Sequence, residues 1–176
     1  GWGGQGMMML GKLVAWIMMQ QGKHVSYFPC YGAEVRGGSA HCHLVFSDEP
    51  IHSPVVEHAD TIILMSQPAY TRFRGRLKPD GLLLSNATLV EGAQAEHAQR
   101  LISAPASAVA DDLGDTRVAN MVMLGVYNAV KRFAPDEAAL AGIEKAFAGA
   151  KPAVRHINIE AYGRGMALAM ELMGKG

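Results

Sequence analysis

Cysteine is nearly missing: the 176 residues hold two, Cys30 and Cys42. That is too few for a disulfide framework, a four-cysteine zinc site or an iron–sulfur cluster carried by this chain. There is no surplus of charge of either sign, since 16 Lys plus Arg balance 16 Asp plus Glu. Without a global field, a polyanion or anionic-lipid binder is excluded. No apolar run reaches the ~18 residues of a membrane span, and the N-terminus lacks the basic, apolar and small-residue order of a signal peptide. A cytoplasmic protein is the expectation. Charged residues are sparse at 18% against 49% hydrophobic, which excludes disorder as the main state. A chain of this length buries roughly 70% of its unfolded surface, so one domain over residues 1–176 is expected.

What is present begins with glycine. Residues 1–6 read GWGGQG and open an apolar stretch of helix length, 7–21, that stops at Gly22, a residue suited to the left-handed position after a helix. Residues 24–28 and 40–46 have strand composition. Between them, PCYGAEVRGGS sets Pro29, Gly32, Gly37 and Gly38 around the charged Glu34 and Arg36, which predicts a structured loop. TIILMS at 61–66 has the unbroken apolarity of a strand buried on both faces. Pro68 opens a short helix to about Arg74, residues 78–81 read as a turn, and 82–85 and 100–104 as short strands. Beyond Pro105 the pattern is helical, at 107–113, 116–133, 136–147 and 158–173. Strands alternating with helices and then yielding to helices predict an α/β fold, a three-layer αβα sandwich with a mostly parallel sheet. The 116–133 segment is apolar nearly all round and asks for cover on more than one side, some of it from a partner subunit.

Gly1, Gly3 and Gly6 satisfy G-x-G-x-x-G ahead of a helix, whose free N–H groups suit an anion. The absence of a preceding strand, and of an acid after Phe28 and Pro29 to hold a ribose, argues against a nicotinamide or flavin site. Phosphate binding and simple loop turning stand level on this pattern. Gly4 lets the chain hug a ligand, and the Gln5 amide can donate to it. In the second loop, Arg36, Gly37, Gly38 and Ser39 can hold a carboxylate or phosphate with Glu34 orienting Arg36. A surface ion pair of little energetic weight is the alternative.

The two loops GWGGQG and PCYGAEVRGGSAHC occur together, followed by SDEPIHSPVVEHADTIILM, LKPDGLLL, PASAVADDLGDTRVANMVMLG and INIEAYGRGMALA. In this combination, spanning nearly the whole chain, the sequence resembles the gamma subunit, or gamma domain, of 2-oxoacid:ferredoxin (acceptor) oxidoreductases, most of all the 2-oxoglutarate or pyruvate enzymes. The resemblance implies the fold of the gamma domain (domain III) of pyruvate:ferredoxin oxidoreductase. It implies coenzyme A-dependent oxidative decarboxylation of a 2-oxoacid to acyl-CoA and CO2, with 2-oxoglutarate ahead of pyruvate, branched-chain 2-oxoacids and indolepyruvate. Thiamine diphosphate and iron–sulfur clusters then reside on alpha, beta and delta-type partner subunits, which pass electrons to ferredoxin or another acceptor. This chain would carry no catalytic residue and be inactive alone. The resemblance makes Gly3, Gly4, Gln5 and Gly6 a candidate site for the phosphates of coenzyme A. It sets Tyr31, Glu34, Arg36, Gly37, Gly38 and Ser39 at the intersubunit active-site cleft. The family has an apolar strand before the glycines; either that strand lies outside this sequence or the sheet lacks an edge. The rival reading is a freestanding nucleotide-binding regulatory module that uses the same glycine loop.

Other constellations carry less. In a strand, His41 and His43 share one face and Cys42 takes the other, giving two ligands from the tripeptide but not three, so no metal site is expected. Cys30, read as a loop residue between Pro29 and Tyr31, is assigned to packing rather than reactivity. No G-x-S-x-G elbow supports a hydrolase. The 11 methionines are core fillers or adaptable interface residues. Apolar helices without net charge are poorly protected against self-association, which implies a larger assembly, or a homodimer when partners are missing.

Overall fold

The structure, a computed structural model, describes residues 1–32 and 38–174. Helix α1, Met7–Gln20, buries Leu10, Leu13, Val14 and Ile17 along one stripe and ends before Gly22, whose φ is 77°. Strands β1 (His24–Tyr31) and β2 (Ala40–Ser47) pair antiparallel from His24↔Ser47 to Tyr31↔Ala40. β1 runs past Phe28 through Pro29, Cys30 and Tyr31, which corrects the loop expected to start there. Proline has no N–H to give, but the far side of β1 is a sheet edge that asks for none.

A second sheet is parallel, in the order β3-β4-β5, from Ala59–Leu64, Leu77–Asn86 and Arg100–Ala104. Residues 78–81, expected as a turn, lie inside β4 instead. The register jumps there from Ala59↔Leu77 to Thr61↔Leu82, so Pro79 and Gly81 sit in an irregular stretch that the ladder bypasses. Helix α2 (Gln67–Phe73) returns the chain from β3 to β4.

β4 fixes the layering. Leu83 packs on one face with Tyr70 and Ala69 of α2, while Leu82 and Leu84 join the larger core on the other. That larger core is made by α1, α3 (Ala106–Asp112), α4 (Ala119–Lys131), α5 (Asp136–Ala146) and α6 (Pro152–Gly174). A central parallel sheet covered by helices on both faces is the expected αβα architecture.

The helix expected at 116–133 divides: residues 116–118 form a short 3-10 turn, because the Asp115 side chain accepts from the Arg117 N–H at 3.0 Å, and α4 follows. Met121, Val122, Met123, Leu124 and Val126 of α4 are fully buried by the chain's own helices, so the cover sought from a partner is supplied internally. Gly125 and Gly165 make this possible: a Cβ on Gly125 would run into the Tyr162 carbonyl, and one on Gly165 into that of Val122. α6 begins at Pro152, earlier than expected, because proline suits the first helical position while the first turn, 152–155, is solvated and shows no apolar period. Among the described residues no helix is long and apolar enough to cross a membrane.

Candidate functional site

The first loop is stitched to the second. The Ala40 N–H donates to the Gly1 carbonyl at 2.9 Å, Trp2 bridges Ser39 in antiparallel fashion, and the Gly3 N–H donates to Gly38 O at 3.0 Å. Gly32 N–H closes the second loop on Ser39 O at 2.9 Å. Tyr31, at the end of β1, is 70% exposed. Glu34, Arg36 and Gly37 lie outside the described residues. A cation that local sequence does not reveal also reaches this place: Arg72 of α2 donates to Ser39 Oγ at 3.3 Å.

Gln5 braces the loop with both ends of its amide. Oε1 accepts from the Trp2 N–H at 2.7 Å, and Nε2 donates to the Met65 carbonyl, just past β3, at 2.7 Å. One of its two N–H donors is therefore committed to the fold. Gly4 and Gly6 adopt φ of 100° and 72°, the left-handed region where a side chain is strained. Around Gly6 the fit is close, since Asn120 Nδ2 donates to its carbonyl at 3.2 Å and a Cβ would strike that amide. Gly4 faces open space. No side chain caps α1, so the N–H groups of its first turn stay available to an anion in front of the loop.

That space is a cavity of about 230 Å³ lined by Gly4, Gln5, Met65, Leu89, Ser107, Thr116, Arg117 and Ala119. Met65, Leu89 and Ser107 each follow the end of one parallel strand, so the cavity opens at the carboxyl ends of β3, β4 and β5, the usual ligand crevice of an open α/β sheet. Its walls are held firmly. Buried Asn86 donates to Ser107 Oγ at 2.7 Å and accepts from the Ser107 N–H at 3.2 Å. Arg117 grips the Asp115 carboxylate through Nε at 2.8 Å and Nη2 at 2.6 Å, and this hydrogen-bonded pairing keeps Asp115 below the usual carboxylate range. A left-handed glycine and a guanidinium held by a carboxylate in its walls suit a phosphate group. Ser107, Thr116 and Arg117 were not found by sequence reasoning; the strand-end rule was the signal that could have pointed to them.

A second cavity, about 740 Å³, separates the two sheets between the facing edges of β2 and β3. Its walls include Leu10 and Val14 of α1 and Phe73 of α2. Cys42 turns toward α1, and burial pushes its thiol up to about 11.

Compared with known proteins, residues 1–168 match the family model described as pyruvate ferredoxin/flavodoxin oxidoreductase. The chain belongs to that family. Within it, this gamma domain is 32% identical over 181 residues to the 2-oxoglutarate synthase subunit KorC of Methanothermobacter marburgensis, covering 97% of the chain and 94% of that subunit. It is 35% identical over 130 residues, 74% of the chain, to the ketoisovalerate oxidoreductase subunit VorA of the same organism, of whose length that match spans only 27%. In structure it resembles the gamma subunit of a keto/oxoacid ferredoxin oxidoreductase from Geobacter sulfurreducens, with TM-score 0.80 and 25% identity over 96% of this chain and 94% of that one. The fold also matches 2-oxoglutarate:ferredoxin oxidoreductase from Magnetococcus marinus, whose structure has 2-oxoglutarate, coenzyme A and succinyl-CoA bound. There the TM-score is 0.89 at 23% identity, over 98% of this chain and 30% of that one.

Proposed function

We propose that this gamma domain is the gamma subunit of a cytoplasmic 2-oxoacid:ferredoxin (acceptor) oxidoreductase complex that converts a 2-oxoacid, 2-oxoglutarate first, to acyl-CoA and CO2. The observation that carries the reading is the glycine loop, opening α1 at the carboxyl ends of the parallel strands and hydrogen-bonded to the second motif. Near full-length similarity to 2-oxoglutarate synthase subunits supports the substrate choice.

In this reading, thiamine diphosphate and iron–sulfur clusters on alpha, beta and delta-type subunits supply the decarboxylation and electron transfer. The part left to this chain is to receive the phosphates of coenzyme A. Gly4 lets the backbone approach them, the first turn of α1 donates N–H groups, and Arg117, its charge balanced by Asp115, offers the N–H groups of Nη1. Gln5 acts as a positioning residue through Met65 and Trp2. Tyr31, Gly38 and Ser39 form the neighbouring lip toward the partner subunits.

The test is to recover the tagged chain from its native cytosol and titrate the recovered complex with coenzyme A by calorimetry. Co-recovery of a thiamine-dependent iron–sulfur partner is expected, with coenzyme A affinity lowered in Gly4→Val and, less strongly, in Gln5→Ala. A chain that comes down alone and binds a dinucleotide tightly overturns the subunit reading in favour of a freestanding module. An intact complex whose coenzyme A affinity is the same in both variants removes the loop assignment while leaving the subunit reading in place.

A further inference from the structure

The two-stranded sheet carries a cluster that the glycine loops leave unused. Strand pairing sets Cys30 of β1 directly opposite His41 of β2, and His43 follows on the same face. One ligand atom from each of the three lies within 4.8 Å of the others. The tripeptide at 41–43 offers two ligands by itself, and the third arrives across the sheet.

A further observation points to a ligand. Among the described residues His41 Nδ1 is buried without a hydrogen-bond partner, a state that native folds rarely leave uncompensated.

We propose that Cys30, His41 and His43 form a binding site for a soft, thiophilic metal ion, monovalent copper. A thiolate with imidazoles selects copper or zinc over magnesium or calcium. Local charge decides between those two. Arg72 and Arg76 both stack on Phe73, whose ring lies 4.7 Å from that of His41. Copper(I) with one thiolate and two imidazoles is a neutral group, whereas zinc would leave a net positive charge beside two guanidiniums. Uptake forms one Cu–S bond and two Cu–N bonds, releases the Cys30 thiol proton to solvent, and changes no oxidation state.

His43 gives the site a distinguishing mark. The Val56 N–H donates to its Nδ1 at 2.8 Å, which fixes the ring proton on Nε2. Either nitrogen can serve the metal only by ending that bond, so loading sets the Val56 amide free.

The experiment titrates the full, reduced chain with copper(I) under anaerobic conditions, against bicinchoninate as competing chelator, while amide NMR follows Val56. One copper per chain and a displaced Val56 resonance are expected. Cys30→Ser and His41→Asn should each weaken binding by more than the roughly 10–100-fold that a lost outer-shell partner costs. Cys42→Ala should leave affinity unchanged. Copper retained at full affinity in Cys30→Ser, zinc bound in preference to copper, or a Val56 amide that does not respond each overturns the proposal. If Cys30→Ser fails to fold, alkylation of Cys30 in the folded chain replaces it, and undiminished copper uptake then has the same overturning force.

Discussion

Around α4 the chain packs closely; between the edges of β2 and β3 a cavity of about 740 Å³ separates the two sheets. Five apolar side chains of α4 are fully buried, and its backbone meets that of α6 at Gly125 and Gly165. Most of β2 is only half-buried, and its free edge looks across an open groove toward β3. Both regions are rich in apolar residues, so composition does not separate them. What differs is whether the chain brings a second element to the apolar face. Helices α6 and α3 do so for α4, whereas the edge of β2 faces the cavity.

The sharpest way to break the contrast is to fill the α4–α6 contact. Gly125→Val should remove the folded state, since its side chain meets backbone that cannot give way, where ordinary overpacking already costs about 1–3 kcal/mol. Loss of the cooperative transition in thermal unfolding checks it; a variant that melts like the parent would show that the two helices can separate without penalty. A smaller loss is expected for Asn128→Ala. Buried Asn128 donates to Tyr162 Oη at 2.8 Å and to Asp136 Oδ1 at 3.2 Å, and accepts from the Ala134 N–H at 3.2 Å. Stranding those groups should lower stability by about 1–3 kcal/mol in urea unfolding.

The smallest effect belongs to the open side and depends on pH. His41 and His43 have folded pKa values below the ordinary one, so the unfolded chain binds more protons, and stability rises with pH up to the unfolded value of about 6.5. It should be complete above that point and decline as pH falls below it, toward the lowered folded values. Amide exchange should quicken in β2 on acidification while α4 stays protected, and His41→Asn should flatten the response. Equal acceleration in both regions would mean that the two sides unfold as one.

The helical side was easier to read from sequence because its signals are local. Gly22 marks the end of α1, and Pro135 with Asp136 the start of α5. On the sheet side, errors fell where one residue type serves two purposes. Pro29 and the Pro79–Gly81 stretch look like breaks, yet an edge strand and a register jump accept them. The glycine motifs were visible as motifs, but their meeting through Gly1, Gly3, Gly38 and Ala40 is a tertiary fact. Ser107, Thr116 and Arg117 reach the cavity only because parallel strands end together. Cys30 joins the histidines through strand pairing, which no spacing within residues 41–43 encodes.

The unfilled slot between the sheets also has a polarity. Gly1 bonds Ala40 at the start of β2 and lies close to Met65 just beyond the end of β3, so the two rims run in opposite senses. A strand laid along the slot would therefore run parallel to one rim and antiparallel to the other.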